Sequence, residues 1–228
     1  AWKHMGIVDY ISRTGQVDPG IDVLPIYHNW PGFFAGSHLL QSWMGADDVI
    51  AVARWAPYVV TLATVGAVCL LAATFTRDRR AVWLTAWLFV LGDWVGQEYF
   101  SPQAVAYLLY LVAIALALRV ARAKGTRRST VIADPEITVL AVLLLVVAIA
   151  TSHQITPAML CVALLALTAT RRARLGGVSL VAIVVTVAWA LWGAADFVVV
   201  NVKMALEGFG SPMANAEGNL VDTSRISE

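Results

Sequence analysis

The sequence predicts an all-α fold: a polytopic bundle of about six membrane segments with external amphipathic helices. Of its 228 residues, 59% are hydrophobic and only 14% are charged, whereas soluble domains contain about 25% charged residues. Uncharged runs of 19, 17 and 21 residues occupy positions 57–75, 102–118 and 175–195. Because a bilayer core about 30 Å thick needs roughly 20 apolar residues as helix, these runs are long enough to cross it.

The first predicted element is an amphipathic helix in the stretch "KHMGIVDYISRTG". It places Ile7, Tyr10 and Ile11 on one apolar face and ends at Gly15. Farther along, Asp48 precedes the apolar stretch "VIAVARWA" and reads as a first-turn acid of another helix. We assign residues 1–53 to an external loop with juxtamembrane helices.

Three shorter apolar runs, at 81–92, 137–152 and 157–170, complete a predicted bundle over residues 54–200. The run 81–92 covers only about 18 Å at ~1.5 Å per residue. The other two are also compatible with a re-entrant hairpin whose tip stops partway across the bilayer. Residues 201–228 form the predicted external tail.

Prolines mark the points where external stretches pass into apolar ones. Proline is tolerated at the first helical position because its missing N–H would be unpaired there in any case. Ser101 and Thr156 each precede such a proline and are predicted N-caps. The four prolines are Pro31, Pro57, Pro102 and Pro157.

The distribution of charge predicts the orientation in the membrane. Three junctions, at 76–80, 119–128 and 171–174, hold 11 of the 16 Lys and Arg residues. The opposite side of the bundle keeps five basic and twelve acidic residues. The positive-inside rule therefore places the three junctions in the cytoplasm and the remaining loops outside.

The stretch "GDWVGQEYFSPQ" contains more polar groups than a connecting loop requires. Charge near membrane depth costs several kcal/mol, so it is usually paired or functional. Asp93 and Glu98 are candidate catalytic carboxylates, and Gln97 and Tyr99 are candidate substrate-binding residues. The alternatives are an ordinary loop acid for Asp93 and an aromatic belt position for Tyr99.

Two further outer stretches carry polar residues that capping and turn rules do not explain. The turn "SHQITP" supplies His153 and Gln154, although a lone histidine there can be a structural hydrogen-bonding residue. The N-terminal loop supplies His4, Asp22 and His28. Because these stretches lie on one predicted side of the membrane, we expect them to converge on one pocket.

Several classes of function receive no support from the sequence. The net charge of +1 gives no reason to expect a nucleic acid partner. Cys69 and Cys161 both lie in apolar segments and suggest neither a disulfide framework nor a metal cluster. No hydrolase elbow, Walker loop, Rossmann glycine set or zinc helix is present in the sequence. The chain opens without Met and stops in a polar stretch, and we expect it to be an internal piece of a longer protein.

The stretches "KHMGIVDYISRTGQVDPGIDV", "YHNWPGFF", "GDWVGQEYFSPQAVAYLLYLV" and "SHQITP" resemble actinobacterial-type polytopic glycosyltransferases of the GT-C superfamily, of the mannosyl- or oligosaccharyl-transferase type. They cover about a quarter of the chain. The resemblance implies a multi-helix membrane bundle, a polyprenyl-phosphate-linked sugar donor and a catalytic acid in the first external loop. Asp9 is the in-frame candidate for that acid, with Asp22 behind it, unless the acid lies upstream of Ala1.

The expected chemistry is transfer of a sugar to a glycan, lipid or protein acceptor at the external face of the bilayer. Such transfer needs a carboxylate base for the acceptor hydroxyl and hydrogen-bond donors for the leaving phosphate. Asp9, Asp22, Asp93 and Glu98 are the candidate bases. A divalent cation is a candidate cofactor that could replace some of the donors. The candidate donors are Lys3, His4, His28, Gln97, His153 and Gln154.

Two other functions remain open at this stage. Intramembrane carboxylates also serve ion and proton pathways, so a non-enzymatic transporter or envelope-assembly scaffold is the main alternative. An envelope polymerase or ligase would share the lipid-linked donor and differ mainly in its acceptor. Carboxylates gathered on one outer face, rather than along the middle of the helices, favour the transferase.

Overall fold

The computed structural model describes residues 2–18, 24–93, 99–122, 135–170 and 175–207, and every regular element among them is helical. The all-α prediction is confirmed for these residues. The N-terminal helices are α1 (Trp2–Thr14), α2 (Pro25–Asn29), α3 (Gly32–Trp43) and α4 (Ile50–Ala53). The bundle helices are α5 (Ala56–Ala72), α6 (Arg79–Gly92), α7 (Pro102–Arg122), α8 (Pro135–Ser152), α9 (Thr156–Ala169) and α10 (Gly176–Ala188). A π-helical turn (Trp189–Gly193) and α11 (Ala195–Glu207) follow.

The four N-terminal helices form a layer with its own core, which we call the N-terminal layer (residues 2–18 and 24–55). As predicted, α1 ends at Gly15, whose φ of +71° is a left-handed conformation that glycine adopts readily. Ile7 and Ile11 on the buried face of α1 pack with Phe33 and Phe34 of α3. Burying side chains of this size stabilises the layer by roughly 1.5–3 kcal/mol each.

The N-terminal layer contacts the bundle near the start of α7 and at the end of α8. The buried ring of Phe100, just before α7, contacts Phe33 with 4.8 Å between centroids. At the start of α3, a Cβ on Gly32 would lie 2.5 Å from Thr151 Oγ1, 2.7 Å from Ser152 Oγ and 3.0 Å from the Thr151 carbonyl carbon. Only glycine therefore allows α3 to approach the end of α8 this closely.

The end of α10 also contacts the N-terminal layer. The Trp189 indole N–H donates a hydrogen bond of 3.2 Å to the backbone carbonyl of Asn29. Trp30 packs edge-on against Phe197 of α11, with 5.3 Å between centroids. The π-helical turn carries Trp189, whose ring lies against Gly193, where a Cβ would be only 2.6 Å away. The layer thus contacts the end of α8, the start of α7, the π-helical turn after α10, and α11.

Helix α7 packs against α5, α8 and α9 and organises the bundle. Its buried positions are mostly alanine, and small residues let neighbouring helices approach closely. Larger aliphatic side chains of α8, α9 and α10 fill the remaining space around it. The fully buried alanines are Ala106, Ala113, Ala115 and Ala117, and the aliphatic core includes Val142, Val146, Ile149, Leu160 and Leu164.

Most of the predicted helix starts are observed. Pro57 and Pro157 lie in the first turns of α5 and α9, and α7 begins at Pro102. The Ser101 hydroxyl accepts a hydrogen bond of 3.2 Å from the Ala104 N–H, as expected for an N-cap.

The prediction that Thr156 is the N-cap of its helix is wrong. Helix α9 begins at Thr156 itself, and its N-cap residue, Ile155, makes no side-chain capping hydrogen bond. The imidazole of His153 takes the capping role instead, because its Nδ1 accepts a hydrogen bond of 3.3 Å from the Thr156 N–H. The Thr156 hydroxyl lies 2.9 Å from the same nitrogen and is therefore committed to this ring.

All six predicted apolar segments are helical, but two helical stretches in the described part of the chain are long and apolar enough to cross a membrane by themselves: Pro102–Ala121 and Gly176–Gly193. Shorter apolar helices lie at Ala56–Ala72, Glu136–Ser152 and Thr156–Ala169. Only 17% of the Gly176–Gly193 stretch is buried, unlike the core helix of a soluble protein. The two stretches favour association with a membrane.

Candidate functional site

Three segments meet at one end of the bundle, where α6 ends, α7 begins and α8 turns into α9. The N-terminal layer covers this end through α3, which packs on α7 and α8. We call it the capped end. It is the end that the sequence predicted to be external, and it contains the two cavities described next.

The larger cavity has a volume of about 430 Å³ and lies between the capped ends of α5, α6, α7 and α9. Most of its lining is aliphatic or aromatic, so we call it the apolar cavity. Asp93, at the end of α6, is the one acidic residue among the described residues that line it. The lining residues are Val60, Thr64, Phe89, Asp93, Gln103, Ala104, Tyr107, His153, Ile155, Thr156 and Met159.

The smaller cavity has a volume of about 160 Å³ and lies between the N-terminal layer and the capped end of the bundle. Its lining combines aromatic residues with amides and hydroxyls, so we call it the polar cavity. The lining residues are His4, Ile26, Tyr27, Trp30, Tyr99, Ser101, Pro102, Gln103, Ser152, His153 and Gln154.

Gln103 and His153 line both cavities. Gln103 lies in the first turn of α7, and His153 lies in the turn between α8 and α9. The two cavities are therefore neighbours that share these two side chains. The expected convergence of outer loops is observed for Asp93 and His153, while the roles of both residues stay predictions.

His4 is held in a defined orientation on the buried face of α1. Its Nδ1–H donates a hydrogen bond of 2.8 Å to the Phe100 carbonyl, since a carbonyl can only accept. The other ring nitrogen, Nε2, accepts from the Tyr27 hydroxyl at 3.1 Å. The ring stacks on Tyr99 at 5.9 Å with an interplanar angle of 6°.

Burial lowers the pKa of His4, and the hydrogen bond to the Phe100 carbonyl opposes this shift only in part. Burial also raises the pKa of the neighbouring Tyr27 hydroxyl, with a further contribution from Tyr99. His4 and Tyr27 are therefore both neutral near pH 7. The pair forms a rigid, uncharged wall of the polar cavity.

His153 is also neutral, because burial lowers its pKa. Its Nδ1 accepts from the Thr156 N–H, so the ring proton of the neutral side chain sits on Nε2. A neutral imidazole with a fixed tautomer can donate one hydrogen bond at a known atom. In the shared wall of two cavities, this makes His153 suited to orienting a ligand oxygen.

Two of the predicted site residues lie away from both cavities. Asp9 is on the exposed face of α1, where its carboxylate forms an ion pair of 2.8 Å with Arg13. His28 is buried and accepts a hydrogen bond of 3.2 Å from the Asp18 N–H through Nδ1. Burial lowers the pKa of His28, and Asp18 partly opposes the shift. His28 thus tethers the chain after α1 to α2.

The remaining predicted residues divide into two groups. Tyr99 and Gln154 line the polar cavity beside His4. Asp22, Gln97 and Glu98 lie outside the described residues, so their proposed roles stay predictions.

The sequence interpretation missed Gln103 and Tyr27 as site residues. Gln103 lies in the "SPQ" motif, which was explained as a helix start and therefore set aside. An amide in the first turn of an apolar helix was the available signal, because polar groups near membrane depth are rarely without function. Tyr27 had no local signal, since it depends on the folding of α2 against α1.

No group of three or more His, Cys, Asp or Glu side chains that could hold a metal ion occurs among the described residues. Within the lining of the apolar cavity, Asp93 provides the carboxylate, and hard cations need several oxygen ligands. The described residues by themselves therefore do not fit a divalent cation site.

The chain matches no protein-family model, no curated protein and no solved structure. The resemblance to GT-C glycosyltransferases therefore stays an expectation from the sequence motifs.

Proposed function

We propose that this chain belongs to a multi-pass membrane glycosyltransferase of the GT-C type, which moves a sugar from a polyprenyl-phosphate-linked donor to an acceptor at the external membrane face. The observation that carries the proposal is the pair of cavities. An apolar cavity whose described lining residues include one carboxylate, Asp93, adjoins a polar cavity at Gln103 and His153. The apolar cavity suits the lipid-linked donor, and the polar cavity beside it suits a polar acceptor.

The surface of the bundle supports a location in the bilayer. Exposed aliphatic and aromatic side chains recur at helical spacing on several helices, which suits contact with lipid tails and not with water. Examples are Leu84, Leu88 and Leu91 on α6, Leu140, Leu144 and Val147 on α8, Leu180, Val184 and Val187 on α10, and Leu191 in the π-helical turn that follows it.

The positions of the basic residues support an external site. Arg77 lies between α5 and α6, Arg79 and Arg80 begin α6, and Arg119 lies near the end of α7. Since α5 and α7 both begin at the capped end, these residues lie at the opposite end of the bundle. The positive-inside rule then assigns the capped end, with both cavities, to the outside.

In the proposed reaction, the Asp93 carboxylate acts as the general base. It takes the proton of the acceptor hydroxyl while that oxygen forms a bond to the anomeric carbon of the donor sugar. The bond between this carbon and the phosphate oxygen breaks, and polyprenyl phosphate leaves with the electron pair. Asp93 is preferred to Asp9 because it lines a cavity, whereas Asp9 is more than half exposed and paired with Arg13.

The leaving phosphate needs hydrogen-bond donors in the same place. Among the described lining residues of the two cavities there is no Lys or Arg. The neutral donors in the lining of the apolar cavity include the Nε2–H of His153, the amide of Gln103 and the hydroxyls of Thr64 and Tyr107. Neutral donors in a site of low polarity stabilise a developing negative charge strongly.

The test is to compare Asp93→Asn with Asp9→Asn, using the full-length protein in membranes. Transfer is followed from a polyprenyl-phosphate sugar carrying a radioactive label to an endogenous acceptor. We expect Asp93→Asn to lose about 10²-fold or more in transfer, the usual scale for a general base, with normal membrane insertion. Asp9→Asn should transfer near the parental rate.

The opposite pattern would restore Asp9 as the base and refute the assignment from the cavities. If the parental protein transfers no sugar, the transferase proposal fails. The transporter alternative then becomes the better explanation, and it is examined by flux measurements in proteoliposomes.

A further inference from the structure

The polar cavity is built from aromatic residues and neutral hydrogen-bonding groups. Tyr27, Trp30 and Tyr99 supply rings, while Gln103 and Gln154 supply amides. None of the described residues that line it is Asp, Glu, Lys or Arg. Because none of these groups offers a charge to pair with, the cavity favours an uncharged ligand.

This combination suits a sugar ring. The C–H faces of a sugar pack on aromatic rings, and its hydroxyls both donate and accept hydrogen bonds. An amide side chain matches a hydroxyl in both directions, since its oxygen accepts and its NH₂ donates. The volume of about 160 Å³ is well below that of the apolar cavity, about 430 Å³, and suits a small ligand such as a single ring.

We propose that the polar cavity binds the terminal sugar ring of a neutral saccharide, which is the acceptor of the transfer reaction. The proposal rests on the function proposed above. Gln103 and His153 belong to both cavities, so a hydroxyl of a ring held here faces the compartment that contains Asp93. The donor lipid occupies the apolar cavity, which leaves the polar cavity to the acceptor.

The wall of this subsite is fixed before any ligand binds. His4 makes hydrogen bonds to both Tyr27 and the Phe100 carbonyl and stacks on Tyr99. Side chains that are already ordered lose little conformational entropy on binding, so a small neutral ligand can bind measurably.

The experiment measures binding directly, without requiring transfer. Purified full-length protein in detergent is titrated with uncharged methyl glycosides, with a uronic acid as a charged comparison, by isothermal titration calorimetry and ligand-observed NMR. The variants are Gln154→Ala and Tyr99→Leu. The matched controls are Gln16→Ala and Tyr58→Leu, which alter the same residue types at exposed positions outside both cavities.

We expect saturable binding of at least one neutral glycoside and none of the uronic acid. Each cavity variant should weaken binding about tenfold, the usual effect of losing one hydrogen bond or one ring contact, while the controls bind as the parent does. In transfer assays the same variants should raise the KM for the acceptor and leave the KM for the donor unchanged.

The two proposals fail in different ways. If no glycoside binds saturably, or if the cavity variants and the controls weaken glycoside binding equally, the saccharide subsite is refuted. The transferase proposal is then still tested separately, by the transfer rate of Asp93→Asn. Specific glycoside binding without any transfer from a polyprenyl-phosphate sugar supports the subsite as a neutral saccharide site and refutes the transferase. Preferential binding of the uronic acid contradicts the inferred neutrality of the ligand.

Discussion

The close approach of α3 to α8 gives a quantitative prediction for Gly32→Ala. A Cβ there would lie 2.5 Å from Thr151 Oγ1, 2.7 Å from Ser152 Oγ and 3.0 Å from a backbone carbon. The Thr151 hydroxyl cannot turn away freely, because it donates to the Val147 carbonyl at 3.0 Å. Overpacking of this kind costs about 1–3 kcal/mol, and we expect the upper part of that range because the backbone must also move.

Gly36 in the same helix provides the matched control, since a Cβ there would meet no atom within 4 Å. Gly36→Ala should stabilise α3 by up to about 1 kcal/mol through helix propensity alone. A difference of about 2–4 kcal/mol between the two variants corresponds to about 4–16 °C in Tm for a chain of this size. The measurement is thermal unfolding of the purified proteins in one detergent at one scan rate.

Two further results would complete this test. Adding Thr151→Ala to Gly32→Ala should recover part of the lost stability, because it removes the closest atom. Because Ser152 also lines the polar cavity, Gly32→Ala should weaken glycoside binding as well. Equal Tm values for Gly32→Ala and Gly36→Ala would refute the reasoning, since the docking of the N-terminal layer would then not depend on this glycine.

Two other predictions concern topology and pH. In a background without Cys69 and Cys161, a cysteine at Gln16 should be labelled from outside by an impermeant thiol reagent, and a cysteine at Thr126 only from the cytoplasm. Labelling of both cysteines from outside would overturn the predicted orientation. Thermal stability should fall as the pH drops below about 6.5, the ordinary histidine value, because the folded-state pKa of His4 is lowered and the unfolded chain then binds more protons. The loss should continue down to the folded-state pKa, and His4→Gln should reduce the slope; a melting profile with the parental slope in that variant would contradict this.

The sequence predicted the helices well because their signals are local. Apolar runs, prolines at helix starts and Gly15 after the first amphipathic segment each depend on only a few neighbouring residues. The helix over 81–92 was predicted and begins two residues earlier, at Arg79, where Asp78 accepts a hydrogen bond of 2.9 Å from the Arg80 N–H. A capping acid directly before a basic pair is difficult to distinguish from a loop before the fold is known.

The site was predicted less completely because it depends on contacts between distant segments. The polar character of Asp93 and His153 beside apolar runs was visible, and both line the apolar cavity. The placement of Asp9 was not visible, since an acid on an amphipathic helix can lie on either side of the buried face. His4 lies on the buried face of the same helix and reaches Phe100, a contact that spans 96 residues.

The hydrogen bond from Trp189 to Asn29 has a consequence for the order in which the protein folds during synthesis. Its two residues are separated by 160 positions, so the N-terminal layer leaves the ribosome long before Trp189 has been synthesised. The ring contact between Trp30 and Phe197 likewise cannot form until α11 has been synthesised. Contacts of such long range form late, because loop closure is costly until the intervening helices have assembled. A nascent chain stopped before α11 would lack the contact of Phe197 with Trp30, so this part of the wall of the polar cavity would be incompletely supported.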